Sequence, residues 1–542
     1  MGGIEYQVNW VYKGISSQMM KQSKADIDIL VKKIKAMGVT TCCMGAGSRS
    51  SQLVHAFNQL GIQMIPFIDE RVVGYMAIGI IKAVQQPVVV LTTSGTAVSN
   101  LCPAMTEAAN SHLPLIAITA DRPKHMQGTS ANQTINQVGI FQDALVEVHW
   151  ENQAQLVMLD QAFDAMHLRG GPIHINVHLE DPVREELIQI KADNIMPCIK
   201  EKRAFAQCPT KTIETAKNGV VCIGQLEPWV DVNMMETLLD HVHWPVVVDG
   251  SQARLKRHPN AYHSSDAFCV KHSAQDFDAI LYLGGRWVSK KMADFLSAEH
   301  VTHYSEGAHP VVHVTKSNQI DYASLLTLTT QHRSIGIKEV NENVNLAIQK
   351  SIKNDPRCDL SFMVSALASI DQPFDCFISN SLPIRLFDQL CIQTIRQVHV
   401  NRGASGIDGN IATIMGLSMM KTHVPLLAIV GDLASVYDLN AFFLMSRVQR
   451  PLCIMLINNG GGDIFSLLPS ARKQPNFNDQ FKLSHSYRLA PIIGAMGINV
   501  TTCKDSRDVD IQFDQHVIEC ITTGGANALT QLQLAFNQGD SH

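Results

Sequence analysis

VPLLAIVGDLASVYDLNAFFLM (424–445) and RPLCIMLINNGGGDIFSLLP (450–469) decide the reading of this chain when taken together. Each begins as an apolar run of strand length and turns polar at its end. The first turn carries Asp432. The second, 27 residues later, carries Asn459 followed by three glycines. Another pair has the same rhythm: PVVVLTTSGTAVSNLCPAMTEA (87–108) and LPLIAITADRP (113–123). In both pairs strand, polar loop, helix, strand and polar loop follow in order. The likeness extends upstream. FIDERVVGYMAIG (67–79) sets an acidic turn before a helix of small residues, and VHVNRGASGIDGNIATIMG (398–416) sets a basic, glycine-rich turn before a similar one. Further back, MGAGSRS (44–50) and SNSLPIR (379–385) each run from a strand end into a polar loop. Elements repeated in the same order predict a duplicated α/β fold. The later copy suggests a magnesium–diphosphate site, and the earlier copy an adaptation to something else.

Composition narrows the function. At 542 residues the chain has room for about three to four domains. Its 46 % hydrophobic content is ordinary for a globular protein. A net charge of −5, with no basic tract, argues against a nucleic-acid partner. The opening MGGIEYQVNW lacks the cationic region and apolar core of a signal peptide, so none is expected. No apolar run is long enough to predict a membrane span. Thirteen cysteines, several in apolar strands (Cys222, Cys453) and none in a CxxC pair, predict reduced thiols in a cytoplasmic protein.

Three segments follow from the pattern. Residues 1–190 alternate helix and strand, with strands expected at 40–45, 63–68, 87–93, 113–119 and 172–177. Residues 184–216 read as a charged linker with helical pieces. Residues 200–345 carry short β-branched runs at 219–224, 244–250, 279–285 and 309–315, suited to buried parallel strands. No GxGxxG follows any of them, so a dinucleotide site is unsupported. Residues 355–542 form the second copy, with INVTTC (498–503) expected as its last strand and a helix near the C-terminus. Parallel strands joined by helices bind ligands at strand C-terminal ends. Nearly every polar motif here sits at such an end.

Magnesium takes about six oxygen ligands and is commonly shared between one or two side chains and a phosphate. Asp432 offers a carboxylate and Asn459 an amide oxygen. The glycines at 460–462 let the backbone approach, so the Gly461 carbonyl is a further candidate. A helix expected to start near Ala434 would point its amides at a phosphate.

GD followed by NN at this interval resembles the cofactor signature of thiamine-diphosphate enzymes. SGTAVSNL, ITADRP, SANQTINQVGIF, NRGASGIDG, GDLASVYDLNA and NNGGGDIFSLLP resemble one branch of them, the menaquinone-pathway synthases that make 2-succinyl-5-enolpyruvyl-6-hydroxy-3-cyclohexene-1-carboxylate. The resemblance spans essentially the whole chain and is weakest in the middle. It implies three doubly wound parallel-sheet domains of the thiamine-diphosphate-binding fold: pyrimidine-binding, middle and diphosphate-binding. It also implies thiamine diphosphate with Mg2+ or Mn2+. In relatives the cofactor lies between domains of two subunits, which implies a homodimer at least, with a homotetramer as the larger assembly. The implied reaction decarboxylates 2-oxoglutarate and adds the resulting succinyl carbanion equivalent to isochorismate in a 1,4 fashion.

Residue roles follow from the same resemblance. Glu70, expected to end the FIDE strand, would hydrogen-bond pyrimidine N1′ and favour the imino tautomer that takes the proton from thiazolium C2. Its bland alternative is a surface carboxylate paired with Arg71. Ile407 would buttress the thiazolium, and Ile464, Phe465 and Leu468 would wall the site; each is otherwise an ordinary packing residue. Asp432, Asn459 and Gly461 would hold the metal. Two dicarboxylate substrates call for several planar cations, for which Arg49, Arg122, Arg385, Arg402 and Lys290 stand at matching positions. Ser48, Asn132, Gln133 and Ser381 would add neutral hydrogen bonds. His125 is the one histidine close to these motifs. Three positions depart from the family pattern: Ala46 for proline, Gly460 for asparagine and Asp463 for glutamine. Asp463 is expected to bring negative charge towards the diphosphate, so that Asp463→Gln would tighten cofactor binding. The alternatives are a thiamine-diphosphate 2-oxoacid decarboxylase or carboligase with another acceptor, and a non-catalytic homologue.

Overall fold

Short β-branched runs without charge, each closed by a glycine or a polar residue, can only be satisfied when both faces of the strand are covered. Among the described residues the computed structural model has three six-stranded, wholly parallel sheets flanked by helices. It describes residues 26–180, 190, 218–228, 230–298, 302–305, 318–319 and 336–538. The expected linker at 184–216 and the expected strand at 309–315 lie outside the described residues, save for Ile190. The chain divides into two compact units, Met1–Arg203 and Ala204–His542.

The first unit holds β1 (Thr41–Gly45), β2 (Gln63–Phe67), β3 (Val88–Thr92), β4 (Leu115–Asp121), β5 (Glu147–Trp150) and β6 (Ile173–His178), in the order β2-β1-β3-β4-β6-β5. The second unit holds two sheets. One comprises β7 (Gly219–Ile223), β8 (Val246–Val248), β9 (Ala261–Tyr262), β10 (Ala279–Leu283), β11 (Thr302–Ser305) and β12 (Asn318–Gln319), ordered β12-β11-β10-β7-β8-β9. The other comprises β13 (Phe374–Ile378), β14 (Ile395–His399), β15 (Leu426–Gly431), β16 (Leu452–Asn458), β17 (Val500–Cys503) and β18 (His516–Ile521), ordered β14-β13-β15-β16-β18-β17. Counted within each sheet, the first and third share the order 2-1-3-4-6-5. The duplication read from loop motifs is therefore a duplication of topology. The middle sheet counts 3-2-1-4-5-6, the doubly wound dinucleotide order, but lacks the glycine fingerprint that goes with it.

β18 and β5 are among the strands that escape the pattern reading, each for its own reason. INVTTC is not the last strand: β18 follows it and inserts between β16 and β17. HVIECI carries a glutamate in a fully buried position. There Glu519 accepts hydrogen bonds from Asn458 Nδ2 (2.6 Å) and from the backbone N–H groups of Leu489 (2.8 Å) and Ala490 (2.9 Å). A buried carboxylate supplied with donors is tolerated where hydropathy alone forbids it. β5, with Glu147 and His149 among its four residues, is an edge strand and needs only one covered face.

One continuous apolar cluster, from Val220 and Phe268 through Phe362 and Phe377's neighbour Ile378 to Leu529, spans both sheets of the second unit and makes them one body. Polar groups are sealed in alongside. Lys256 is fully buried, and its ammonium donates to the carbonyls of His263 (2.9 Å) and Asp388 and faces Asp388 Oδ1 at 3.4 Å. Ser265 Oγ donates to Asp388 Oδ2 (2.7 Å). Burial still outweighs these partners and pushes the Asp388 carboxyl up to about 6.

Strand cysteines are enclosed likewise, each within its own unit. Burial pushes the thiols of Cys42, Cys43, Cys222, Cys376 and Cys520 well above the usual range and that of Cys453 up to about 12. Only the thiolate reacts readily. Iodoacetamide should therefore spare these six in the native protein and label them after denaturation, as read by peptide mass mapping. Native labelling of Cys376 would contradict the packing.

Candidate functional site

In the first unit β2 ends at Phe67, not at Glu70. The Asp69 carboxylate accepts from the N–H groups of Arg71 (2.9 Å) and Val72 (3.4 Å), which turns the chain out of the strand and starts the helix Glu70–Val84. Glu70 is thus the first helical residue. Its side chain lies against the end of β1: a Cβ on Gly45 would come within 2.8 Å of Glu70 Cγ. Asn100 Nδ2 donates to Glu70 Oε2 (3.4 Å). Arg71 leans towards Asp69 (4.0 Å).

The structure brings several expected substrate-binding residues of this unit together. Arg122 Nη1 donates to Ser94 Oγ (3.0 Å) and Nη2 to the Asn132 carbonyl (2.5 Å). Gln133 Nε2 donates to the Ser94 carbonyl (3.0 Å), and Ser94 Oγ donates back to the Gln133 carbonyl (2.9 Å). Loops following β3 and β4 are thereby clamped to the 132–133 turn. Gln137, which the sequence reading passed over, completes the clamp. Its Oε1 accepts from Gly95 N–H (3.3 Å), and its Nε2 donates to Asn176 Oδ1 (2.8 Å) and the Ala120 carbonyl (3.3 Å). Arg49 is buried and donates from Nη1 to the Leu179 carbonyl (2.6 Å), while Ser48 beside it is exposed. His125 is a surface group 3.9 Å from Glu180.

In the second unit Arg385 and Arg402 follow the ends of β13 and β14. Arg385 lies on the short helix Leu382–Phe387, where its Nη1 donates to the Ser381 carbonyl (2.7 Å). Burial, and next the Arg402 guanidinium, lower the Arg385 pKa. Two cations held close favour an anion between them. Arg402 Nη2 donates to the Trp287 carbonyl (3.2 Å), and Arg286 Nη1 donates to the Arg402 carbonyl (2.8 Å). Within GGRWVSKK it is Arg286 and Trp287 that touch the Arg402 loop, while Lys290 is exposed at the start of the helix Lys290–Leu296. Asn380 Nδ2 ties the same loop by donating to the carbonyls of Asn401 (2.5 Å) and Gly406 (2.7 Å). Ile407 stands partly exposed beyond it.

At the ends of β15 and β16 lie the expected metal ligands. Asp432 opens the six-residue helix Asp432–Tyr437, two residues earlier than expected. Its carboxylate is buried and accepts from the N–H groups of Leu433 (2.7 Å) and Gly461 (2.9 Å). Burial raises its pKa, and these amides pull it back. The His485 ring, stacked on Tyr487 at 4.4 Å, sets Nε2 at 3.2 Å from Asp432 Oδ2 but out of line for a hydrogen bond. Asn459 Nδ2 donates to Asp359 Oδ2 (2.9 Å), while Asn459 Oδ1 is buried and has no hydrogen-bond partner among the described residues. The Gly461 carbonyl accepts from Asp463 N–H (2.9 Å), which leaves it a second lone pair. A buried carboxylate and a buried amide oxygen in want of a donor are the oxygen set a hard dication requires. Ile464 packs on the core, Phe465 sits 6.3 Å from Phe481, and Leu468 is exposed. His485 and Asp359 were invisible in the sequence, since neither belongs to a motif and Asp359 is 100 positions from its partner.

Asp463 does not do what its charge suggests. Its Oδ2 accepts from the N–H groups of Gly525 (3.0 Å) and Ala526 (2.9 Å), at the start of the helix Ala526–Gln538. Its Oδ1 accepts from Ser466 Oγ (3.1 Å) and lies 3.4 Å from Lys482 Nζ. Gly524, at φ +110°, leaves the room: a Cβ there would stand 2.7 Å from Asp463 Oδ2. The carboxylate caps a helix and is neutralised by it. Asp463→Gln is now expected to cost about 0.5–2 kcal/mol of stability, the usual loss of a cap, with thiamine-diphosphate affinity unchanged. Denaturation together with calorimetric titration tests this, and an unaltered midpoint with tighter cofactor binding would favour the original expectation.

Comparisons with known proteins give the family. Residues 27–140 match the family described as "Thiamine pyrophosphate enzyme, N-terminal TPP binding domain". The 2-succinyl-5-enolpyruvyl-6-hydroxy-3-cyclohexene-1-carboxylate synthase of Shewanella baltica (strain OS195) is 31 % identical over 84 % of this chain and 86 % of its own length. The synthase of the same name from Shewanella frigidimarina (strain NCIMB 400) is 30 % identical over 86 % of this chain and 89 % of its own. The chain belongs to the 2-succinyl-5-enolpyruvyl-6-hydroxy-3-cyclohexene-1-carboxylate synthase family of thiamine-diphosphate-dependent enzymes.

Proposed function

We propose that this enzyme decarboxylates 2-oxoglutarate and joins the remaining four-carbon fragment to isochorismate by 1,4-addition, as a transferase of menaquinone biosynthesis. The observation that carries the reading is that the buried Asp432 carboxylate and the Asn459 oxygen, which has no partner among the described residues, stand at the ends of neighbouring strands. Bound thiamine diphosphate supplies the electron sink for loss of carbon dioxide from a 2-oxoacid and makes the former carbonyl carbon nucleophilic.

The chain's own residues bind, orient and move protons. Asp432, Asn459 and the Gly461 carbonyl hold Mg2+ or Mn2+. Glu70 holds a proton at pyrimidine N1′; Asn100 and the bare Cα of Gly45 keep its carboxylate in place. Ile407, Ile464, Phe465 and Leu468 provide apolar support. Arg385 and Arg402, whose proximity favours an anion, take a substrate carboxylate with Ser381. Arg49, Arg122, Ser48, Asn132, Gln133 and Lys290 serve the same two dicarboxylates. The active assembly is a homodimer at least, with a homotetramer as the larger form, in the cytoplasm. Light scattering of the cofactor-loaded enzyme reads the assembly, and a monomer would exclude it. Among the described residues no helix is long and apolar enough to cross a membrane.

The test is carbon dioxide release from 2-oxoglutarate with thiamine diphosphate and Mg2+, with and without isochorismate. Release should rise sharply with isochorismate and be matched by a carbon–carbon-bonded product. Release indifferent to isochorismate would point to another acceptor. Glu70→Gln should lower turnover by about 10²-fold or more, the scale of a lost proton-transfer group, and full turnover in that variant would refute the role.

A further inference from the structure

Magnesium and manganese accept the oxygen of a carboxamide and not its nitrogen, so an asparagine ligand must be held with a defined end forward. What holds Asn459 is Asp359. This residue, itself buried, opens the helix Asp359–Ala368. It is fixed at three points: its N–H donates to the Gly524 carbonyl (3.1 Å), Thr522 Oγ1 donates to Oδ1 (2.5 Å), and Asn459 Nδ2 donates to Oδ2 (2.9 Å). Gly525 closes the fourth side, since a Cβ there would stand 2.6 Å from Asp359 Oδ2.

Both oxygens of the Asp359 carboxyl accept here, Oδ1 from Thr522 and Oδ2 from Asn459, and these bonds work against the burial that pushes the group up to about 7. The carboxyl therefore takes the NH2 end of the Asn459 amide and turns Asn459 Oδ1 the other way. That oxygen is the atom left buried and without a partner. We propose that Asp359 is a positioning residue for the metal, selecting the amide orientation in which Asn459 presents oxygen to the cation. This rests on the reading of Asn459 as a ligand. Partners that orient metal ligands from behind carry large weight: their loss commonly weakens metal affinity about 10–100-fold.

The experiment measures Mn2+ binding to the full-length protein with thiamine diphosphate present, by electron paramagnetic resonance of free Mn2+. Asp359→Asn is nearly isosteric, and its amide can meet Asn459 as donor or acceptor, so the orientation is no longer imposed. Mn2+ should bind at least about tenfold more weakly, while turnover at saturating Mn2+ and the circular dichroism of the metal-free protein stay at parental values. A merely structural role would instead move the fold or the saturated rate. Asn459→Ala separates the two readings. Should it weaken Mn2+ binding while Asp359→Asn leaves it intact, the ligand stands and the positioning role falls. Should neither variant weaken binding, the ligand reading itself falls. If Asp359→Asn does not fold, Thr522→Val, which removes one anchor of the carboxylate, decides by the same criteria, with a loss of about threefold or more expected.

Discussion

Desolvation of the Asp432 carboxylate is the constraint around which the third sheet's loops are arranged. A carboxylate enclosed in protein must be met by donors or by a cation. Here two backbone amides meet it, and one belongs to Gly461, which lies beyond the next strand. That bond draws the loop after β16 across the end of β15. The loop can follow only because Gly461 adopts φ +134° with its Cα 's bare side against the Lys482 carbonyl, 2.4 Å from where a Cβ would be. Gly462 N–H donates to the same carbonyl (2.6 Å) and His485 N–H to that of Gly460 (3.1 Å). The segment up to Tyr487 is thereby laid over the site, with Asn458 Nδ2 donating to the Tyr487 carbonyl (2.9 Å).

The duplicated sheets show how one topology serves two chemistries. Strand ends that carry Asp432 and Asn459 in the third sheet carry Ser94-Gly95 and Asp121-Arg122 in the first. In the first, Asp121 is spent internally: it accepts from Arg122 N–H (2.7 Å) and Asn176 Nδ2 (2.8 Å). The polar groups named there brace loops, while at the corresponding end of the third sheet the Asn459 oxygen has no partner among the described residues. Parallel strands place their loops at one edge whatever the side chains; the loop residues then decide what is bound.

The arginines illustrate how far a residue type can be read. Guanidinium groups at loop ends were legible as a set, but their bonds were not. Arg49 and Arg122 spend donors on carbonyls and a hydroxyl of their own unit, which fixes their forks rigidly. Arg385 and Arg402 likewise spend donors on carbonyls of their own unit, and the Arg402 charge is felt at Arg385. Asp463 is the sharper lesson. Its charge looked like an intrusion at the anion site, and its partners turned out to be amides at 525 and 526, reached only through the fold.

The sequence by itself determined the α/β class, the duplication, the strand-end placement of the motifs and the identity of the candidate metal ligands. These depend on period, on turn chemistry and on residue type at short range, and all of that is written locally. Tertiary structure alone decided the strand order, the insertion of β18 with its satisfied Glu519, and the partnership of Asp359 with Asn459. Each of these hangs on a hydrogen bond or burial between residues far apart in the chain. Whether a buried polar group is a defect, a brace or a ligand depends on what the fold brings opposite it.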